Sequence, residues 1–364
     1  MATGSPNKGD GPKKPMAVWA ITPNGQKLGI RICSGIGKAD LFISEKIENG
    51  PETGKPSYPL GRPENINIFS SLSREIKRRF QRYEKHVFIF STGIAVRMIS
   101  PLLQSKLADP AVVVIDDQGN HVISLISGHL GGANELARDL ARRIQANPVI
   151  TTATDVNQLP SIDMIAKRCN LFIETPENIK RINMAFLTDK KILLKDPGSF
   201  IRKAIPKKFL LEDETDKEVP RIHCSWKTEK VSRETMILRP RVLSIGMGCN
   251  RNTPFEIIRD FFNAIMAGEN LSLDSLVSIA TTEIKKDEKG LLRLSETLGV
   301  PIKFYDKTSL NSVKTIENPS KMVEKHLGVK SVCEAAAILA ANNGKLIVPK
   351  KKNRDVTLAV ALEI

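Results

Sequence analysis

The sequence of 364 residues contains little cysteine, histidine or aromatic residue, and each shortage excludes a class of site. Its five cysteines are scattered without a CxxC pair, which favours reduced thiols over a disulfide framework. The five histidines show no HxxxH or HxxE pairing, so a metal site held by the protein is not expected. No stretch approaches the roughly 20 apolar residues of a membrane span. Together these shortages predict a cytoplasmic protein.

The charge of the chain is strongly unbalanced, with a net value of +15. Such a field attracts anions, either nucleic acid or a small molecule that carries several carboxylates or phosphates. Aromatic residues make up only 5% of the chain and are not interleaved with the basic residues as a base-stacking surface requires. A small polyanionic ligand is therefore preferred, although charge alone does not choose between the two.

Apolar runs that are typical of strands alternate with amphipathic helices along most of the chain. Residues 22–25 are predicted to form a turn and residues 26–33 a helix. Buried strands are predicted at residues 87–90 and 111–115, and a further strand at 121–126. The clearest helix is predicted at 133–144, where apolar residues recur at i, i+3, i+4 and i+7 and charged residues lie opposite. This alternation predicts an α/β fold with a mainly parallel sheet.

Three domains are expected after a disordered extension. The extension covers residues 1–15, the N-terminal, mainly parallel α/β domain 16–147, a small middle α/β module with a linker 148–240, and a separate C-terminal α/β domain 241–364. The middle module is less regular and rich in lysine, proline and acidic residues, and a new strand–helix pattern begins after it. Residues 50–63, rich in proline and glycine, are expected to form a loop.

Three loops share one pattern, in which an apolar strand is followed by small polar residues or glycine and then by a helix. They occupy residues 91–93, 127–132 and 152–155. In a parallel sheet such loops meet at the carboxyl edge, where ligands usually bind. Glycines allow a ligand to approach the backbone, and N–H groups at a helix start favour anions. We therefore expect the three loops to form one site, although each alone is also typical of an ordinary turn.

His129 is the candidate catalyst in the glycine-rich loop, because an imidazole with an ordinary pKa of about 6.5 exchanges protons at neutral pH. Asp155 and Asp117 are its candidate partners, either to orient His129 or to act as a second acid or base. Asp116 and Asp117 have an alternative interpretation as a hairpin turn, since glycine and asparagine follow them. The alternative for His129 is a structural role in its loop.

A second glycine-containing loop at residues 246–251 follows a predicted strand and precedes a predicted helix. It lacks the third glycine of a dinucleotide-binding loop, and a lone GxG is a weak signal. Cys249 has no base partner in the sequence pattern, which argues against a nucleophile there. Arg251 is better explained as a partner for a carboxylate.

These motifs resemble the cobalamin biosynthesis protein G family, the cobalt-precorrin-5A hydrolases. The resemblance covers the chain from about Met16 to its end and is weakest between residues 175 and 240. Its most specific part is the Gly-His-Leu-Gly-Gly-Ala-Asn block at 128–134. The other matching segments lie at residues 90–97, 109–114, 116–119, 152–155, 246–249, 286–291, 332–336, 350 and 356–361.

The resemblance implies an enzyme of anaerobic cobalamin (vitamin B12) biosynthesis, a hydrolase acting on carbon–carbon bonds. Its substrate is cobalt-precorrin-5A, a corrinoid with a δ-lactone. Water opens the lactone and a two-carbon fragment leaves as acetaldehyde, giving cobalt-precorrin-5B. Cobalt arrives with the substrate, so neither a protein metal site nor an organic cofactor is expected.

For such an acyl hydrolysis we predict that the N–H groups of Gly131 and Gly132 stabilise the oxyanion. Arg97, Arg251 and Lys286 are expected to pair with carboxylates of the substrate, with solvated surface charge as the alternative for each. The complete set of predicted substrate-binding residues is Ser91, Thr92, Gly93, Arg97, Gly128, Gly131, Gly132, Asn134, Thr154, Gly248, Arg251 and Lys286. The alternative for Asn134 is that it only completes the start of the helix.

Other functions stay open at this point. A non-catalytic corrinoid-binding protein or partner subunit of the same pathway would bind the ligand without releasing acetaldehyde. Nucleic acid and membranes are not expected as partners, while a homodimer or transient contacts with neighbouring pathway enzymes are left open. A methyltransferase is disfavoured, because the only loop that resembles a nucleotide site, at residues 246–251, is incomplete.

Overall fold

The computed structural model describes residues 13–48, 65–105, 108–211, 219–319, 328–329 and 331–363. The chain divides into two compact units, Met1–Leu159 and Pro160–Ile364. Residues 1–12 of the predicted extension and the predicted loop at 50–63 lie outside the described residues. Each unit is built from strands that alternate with helices, which confirms the predicted α/β fold class.

The first unit contains one seven-stranded sheet. Its strands are β1 (Lys14–Ala20), β2 (Asp40–Ser44), β3 (Asn65–Phe69), β4 (Tyr83–Ile89), β5 (Ala111–Ile115), β6 (His121–Ile126) and β7 (Asn147–Val149). Its helices are α1 (Pro23–Ile36), α2 (Glu45–Glu48), α3 (Leu72–Arg79), α4 (Thr92–Ile99), α5 (Ala133–Ile144) and α6 (Ala153–Val156). The strand order is β3-β2-β1-β4-β5-β6-β7.

The direction of β6 divides this sheet into two parts. Strands β1 to β5 are parallel to their neighbours, whereas β6 runs antiparallel to β5 and β7 runs parallel to β6. The carboxyl ends of β6 and β7 therefore lie at the edge where β4 and β5 begin. This reversal decides which of the predicted loops can meet.

Both faces of the sheet are covered, as buried parallel strands require. On one face, α1 and α5 pack on residues such as Val18 and Val87. On the other face, α3 and α4 pack on an aromatic cluster that includes Trp19 and Phe88. Neighbouring residues of β1 thus point to opposite faces and are both fully buried, which explains the continuous apolar runs in the sequence.

Three boundaries differ from the predictions. Strand β1 already begins at Lys14, because its first residue pairs with β4 at Tyr83, so the predicted extension is too long by two residues. Helix α1 begins at Pro23, where a turn was predicted, because Thr22 caps it by accepting a hydrogen bond from the Gly25 N–H.

Residues 148–159 belong to the first unit rather than to the middle module, and β7 joins its sheet.

The second unit contains two sheets. The middle region has the order β8-β11-β10-β9. Its elements are β8 (Leu171–Ile173), β9 (Leu193–Lys195), β10 (Arg221–Cys224), β11 (Thr235–Pro240), α7 (Ile162–Arg168) and α8 (Ile179–Leu187). Only β8 runs antiparallel to its neighbour, and the helices contribute buried apolar residues such as Ile165 and Phe186.

The C-terminal region has the order β14-β13-β12-β16-β15, with β12, β13 and β14 parallel and the β15–β16 hairpin antiparallel. Its strands are β12 (Leu243–Cys249), β13 (Leu276–Thr282), β14 (Ile302–Tyr305), β15 (Lys345–Lys352) and β16 (Val356–Leu362). Its described helices are α9 (Phe255–Gly268), α10 (Lys289–Leu298), α11 (Lys307–Ser312) and α12 (Cys333–Ala340). Helices α9 and α10 cover one face, and α11 and α12 the other.

Candidate active site

The glycine-rich loop after β6 folds back on itself before α5 begins. The N–H of Gly132 donates to the carbonyl of His129 at 2.9 Å, and the N–H groups of Ala133 and Asn134 donate to the carbonyls of Ser127 and Gly128. Glycine is required at Gly132, whose φ is +86°, a left-handed conformation that other residues rarely adopt. The Gly132 N–H is thus engaged within the loop, which conflicts with its predicted role at an oxyanion.

The loop places His129 beside Asp155. His129 Nε2 donates to Asp155 Oδ2 at 2.9 Å, and the hydroxyl oxygen of Thr154 lies 3.1 Å from the same nitrogen. The side chains of His129 and Asp155 are 18% and 20% exposed, so both can be reached from solvent while most of each is enclosed. The structure therefore brings together the predicted catalyst and one of its two predicted partners.

Asn134 connects this pair to the body of the unit. Its side-chain oxygen accepts from Ser124 at 2.6 Å, and its amide nitrogen donates to Thr152 at 3.0 Å and to Asp155 Oδ2 at 2.8 Å. The residue is 4% exposed. A side chain that is buried and engaged at both ends holds its neighbours, so the geometry does not fit the predicted contact of Asn134 with substrate.

Arg138, one turn further along α5, completes the cluster. Its guanidinium donates to Asp155 Oδ1 at 2.6 Å, the carboxylate oxygen that His129 does not contact. Partial burial acts to raise the pKa of Asp155, but the hydrogen bonds and charges of Arg138 and His129 outweigh it and lower that pKa below its ordinary value. Asp155 is therefore anionic at neutral pH. The sequence analysis missed this contact, although the i, i+4 spacing of Asn134 and Arg138 signals a shared helix face.

Asp117 and residues 91–93 lie at the opposite edge of the sheet. Residues 91–93 follow the carboxyl end of β4, whereas the loop at 127–132 follows β6, which runs the other way. Asp117, in the turn between β5 and β6, accepts hydrogen bonds from Thr22 and Asn24 at the start of α1. The expectation that the three loops share one site is therefore wrong, and Asp117 cannot orient His129.

Arg97 lies with this second group of residues. Its guanidinium donates at 3.4 Å to the carbonyl of Gly93, in the first turn of α4. Ser91, Thr92, Gly93 and Arg97 thus lie at the edge opposite His129, and not in one site with it as predicted.

Gly248, Arg251 and Lys286 lie in the second unit. Arg251 is paired with Asp287 at 2.5 Å and donates to the carbonyl of Ile284, and Lys286 is paired with Glu283 at 2.7 Å. The two cations thus already have partners within the chain. Each would have to exchange that partner to bind a substrate carboxylate.

The neighbouring pair of Lys285 and Glu288 is more enclosed and was missed by the sequence analysis. The two side chains are 12% and 3% exposed and lie 3.0 Å apart. Glu288 also accepts from the Asn252 N–H, which ties the loop after β12 to the start of α10. Burial raises the pKa of the nearby Cys249 thiol to about 11, so the thiolate needed for nucleophilic attack is scarce at neutral pH.

Within the part of the chain that the structure describes, no group of three or more His, Cys, Asp or Glu side chains could hold a metal ion. No helix among the described residues combines the length and apolar character that a membrane crossing needs.

Comparison with known proteins finds similarity along nearly the whole chain. Three family models match in succession: the cobalamin synthesis G N-terminal region at residues 74–155, the cobalamin biosynthesis central region at 160–240 and the cobalamin synthesis G C-terminus at 243–361. The first of these matches contains His129, Asn134, Arg138 and Asp155.

Two curated relatives carry the same description. The cobalt-precorrin-5A hydrolase of Priestia megaterium is 34% identical over 362 residues, which cover 95% of this chain and 94% of that protein. The cobalt-precorrin-5A hydrolase of Salmonella typhimurium is 32% identical over 368 residues, with 95% and 97% covered. A solved cobalamin biosynthesis protein G homolog from Sulfolobus solfataricus aligns over 96% of this chain and 97% of its own, with 23% identity and a TM-score of 0.36.

Proposed function

The chain belongs to the cobalamin synthesis G family, and from this premise we propose that it hydrolyses cobalt-precorrin-5A through the His129–Asp155 pair. The activity rests on relatives of that description that align over 95% of the chain. The assignment of the chemistry to this pair rests on one observation, the 2.9 Å hydrogen bond between an enclosed imidazole and an anionic carboxylate.

The reaction needs one water molecule and one group that moves protons. Water adds to the lactone carbonyl, and its oxygen ends in the new carboxylate. The lactone oxygen departs with the two-carbon fragment as acetaldehyde, and the bond between that fragment and the macrocycle breaks. A base that takes a proton from water and an acid that returns one to the product are the groups the protein must supply.

His129 supplies the base in this proposal. The carboxylate of Asp155 accepts from Nε2, so it orients the ring and stabilises its protonated form. His129 takes the proton of the attacking water, and the imidazolium that forms is stabilised by the carboxylate of Asp155. Oxyanion stabilisation is assigned to the N–H of Gly131. The N–H of Gly132 is not assigned this role, because it donates to the backbone carbonyl of His129.

The same proposal includes the source of the cobalt, the location of the protein and its partners. Cobalt enters as part of the substrate, whose carboxylates suit a chain with a net charge of +15. The proposed location is the cytoplasm, and neither nucleic acid nor a membrane has a part in the reaction. A homodimer and transient contacts with neighbouring pathway enzymes stay predictions.

The variant His129→Ala tests the assignment. Loss of the base is expected to lower kcat by about 10²- to 10⁴-fold, the usual contribution of general acid–base catalysis. The purified protein is incubated anaerobically with cobalt-precorrin-5A, and acetaldehyde and the mass of the corrinoid product are followed with time. His121→Gln is the matched control, because His121 is 53% exposed and paired with Asp116 in the turn between β5 and β6.

Two results would contradict parts of the proposal separately. Acetaldehyde release by His129→Ala at nearly the normal rate would remove the catalytic role of His129 and leave the family membership intact. A wild-type protein that binds the corrinoid tightly but releases no acetaldehyde would instead be a non-catalytic carrier or partner subunit.

A further inference from the structure

Helix α5 holds the carboxylate of Asp155 from both sides with two side chains one turn apart. Asn134 donates to Oδ2 at 2.8 Å, and Arg138 donates to Oδ1 at 2.6 Å. Residues four apart lie on the same face of a helix, so a single rigid element supplies both contacts. The carboxylate oxygen that faces His129 is thereby fixed by groups other than His129 itself.

Asp155 depends on this support because its own helix is short. Helix α6 has four residues, a single turn, and one turn of helix is marginal without contacts to other elements. Asn134 also donates to Thr152, the residue before α6. The contacts from α5 therefore set the position of α6, and with it the direction in which Asp155 meets His129.

We propose that Arg138 is a positioning residue of the hydrolase reaction, which holds Asp155 for His129 and opposes the protonation of the imidazole. The proposal rests on the proposed function, in which His129 acts as the base. Arg138 contacts Asp155 and has no described contact with the imidazole, so it acts through the carboxylate. Its side chain is 48% exposed, which leaves it accessible to substitution without opening the core.

The charges around Asp155 give the direction of the effect. The charged and titratable groups that act on it are Arg138 and His129. With Arg138 in place, the carboxylate is shared between two cations when the imidazole is protonated. Without Arg138, the carboxylate pairs with the imidazolium alone and the repulsion by the Arg138 guanidinium is lost, so His129 gains its proton at a higher pH. The acidic limb of the profile of kcat against pH should therefore also move to higher pH.

Three variants separate positioning from simple loss of structure. Arg138→Gln removes the charge, Arg138→Lys keeps the charge without the planar guanidinium, and Arg142→Gln is the control. Arg142 lies one turn further along α5, is 79% exposed and is paired with Asp139. For Arg138→Gln, kcat is expected to fall about 10- to 100-fold, as misplacement of a catalytic group does. KM is expected to stay within about threefold, because Arg138 does not bind substrate in this proposal.

The pH dependence gives the second readout. The acidic limb of the kcat profile is expected to move up by about 0.5 to 1 pH unit in Arg138→Gln and to keep its wild-type position in Arg138→Lys and Arg142→Gln. The imidazole titration of His129, followed by NMR in the free protein and assigned by its loss in His129→Ala, should move in the same way. This titration needs no substrate, so it tests Arg138 even if the proposed function fails.

The proposal is overturned if Arg138→Gln matches Arg142→Gln in kcat and in the His129 titration. It is also overturned if kcat falls in Arg138→Gln and Arg138→Lys alike while the limb and the titration stay in place, because Arg138 would then have only a structural role. A wild-type protein without acetaldehyde release contradicts the proposed function alone, and the NMR titration then decides about Arg138.

Discussion

His86 is a titratable residue that the structure encloses completely. Its Nδ1 accepts from the indole N–H of Trp19 at 3.1 Å, and its Nε2 donates to the carbonyl of Phe80 at 3.0 Å. The ring also stacks on that of Phe80, with centroids 5.2 Å apart. Burial lowers the pKa of His86 to about 4, so the ring is neutral in the folded protein at neutral pH.

This burial predicts a loss of stability in acid. Below about pH 6.5 the unfolded chain binds a proton at His86. The folded protein does not bind that proton until the pH reaches about 4. The free energy of unfolding should therefore fall between these values, by at most about 1.4 kcal/mol per pH unit from this group. In His86→Gln, whose amide can still accept from Trp19, that contribution should disappear.

Urea unfolding of both proteins at pH 7, 6 and 5 measures the effect. Carboxylates titrate alike in both, so the difference between the two curves isolates His86. Parallel curves for His86→Gln and the wild type would show that His86 is not the titrating group.

The chemical type of a side chain is easier to predict from the sequence than the direction in which it points. Asn134 was predicted to bind substrate because it lies on a polar face just beyond the glycine loop. In the structure Asn134 is buried and bonded at both ends of its amide. The partners of that amide, Ser124 and Thr152, come from two other segments, and their meeting depends on the tertiary packing of β6 and α6 against α5.

At the scale of elements, the direction of β6 decided which loops form the site. The segment at 116–120 was interpreted both as a turn and as part of a mainly parallel arrangement. A connection of five residues cannot join parallel neighbours, which need a crossover of a dozen residues or more. The observed antiparallel pairing of β5 and β6 follows from this limit. The short turn was therefore a sequence signal that the carboxyl end of β6 lies at the edge opposite that of β4.

Helix α5 was predictable for the opposite reason. Its apolar residues repeat at the helical period and pack on the sheet, so that local pattern and tertiary contact agree, and the predicted bounds 133–144 match the structure. Helix α1 was cut short in the prediction, because its first residues are common in turns. Proline and a threonine cap also suit a helix start, and local sequence alone does not decide between the two.

Helix α12 packs so closely on β12 that one added methyl group at Gly246 is expected to lower the stability of the fold. A Cβ added to Gly246 would lie 1.8 Å from the carbonyl oxygen of Cys333 and 2.6 Å from the N–H nitrogen of Ala337. Both are backbone atoms of α12, so the helix as a whole would have to move away from the sheet. Gly246→Ala is expected to lower the free energy of unfolding by about 1 to 3 kcal/mol or more, as overpacking does.

Gly268→Ala is the matched control in the same region. Gly268 is the last residue of α9, and no atom lies within 4 Å of the position its Cβ would take. Because alanine restricts the unfolded chain and favours helix, stability should stay unchanged or rise by up to about 1 kcal/mol. Urea unfolding of both variants tests the pair, and equal midpoints would show that α12 can move away from Gly246 at little cost.

At the scale of the whole molecule, the net charge of +15 is the property that links the chain to a polyanionic substrate. Many individual cations already have partners, as Arg251 does with Asp287 and Arg143 with Asp139. The attraction therefore acts as a summed field over the surface rather than through one unpaired clamp. Such a field raises the rate of encounter and is screened by salt, whereas the chemical step in an enclosed site is screened much less.

Salt should accordingly change kcat/KM and kcat differently. Between 0.1 and 1 M NaCl the screening length falls from about 10 to about 3 Å. We expect kcat/KM for cobalt-precorrin-5A to fall about tenfold or more, while kcat at saturating substrate stays nearly constant. Steady-state kinetics at five salt concentrations, with sucrose of matched osmolality as the control, measure both constants.

If kcat/KM is independent of salt, the positive charge has no part in substrate capture. An equal fall in both constants would instead place the effect of salt on the active site itself, where the Arg138–Asp155 contact is the most exposed ion pair.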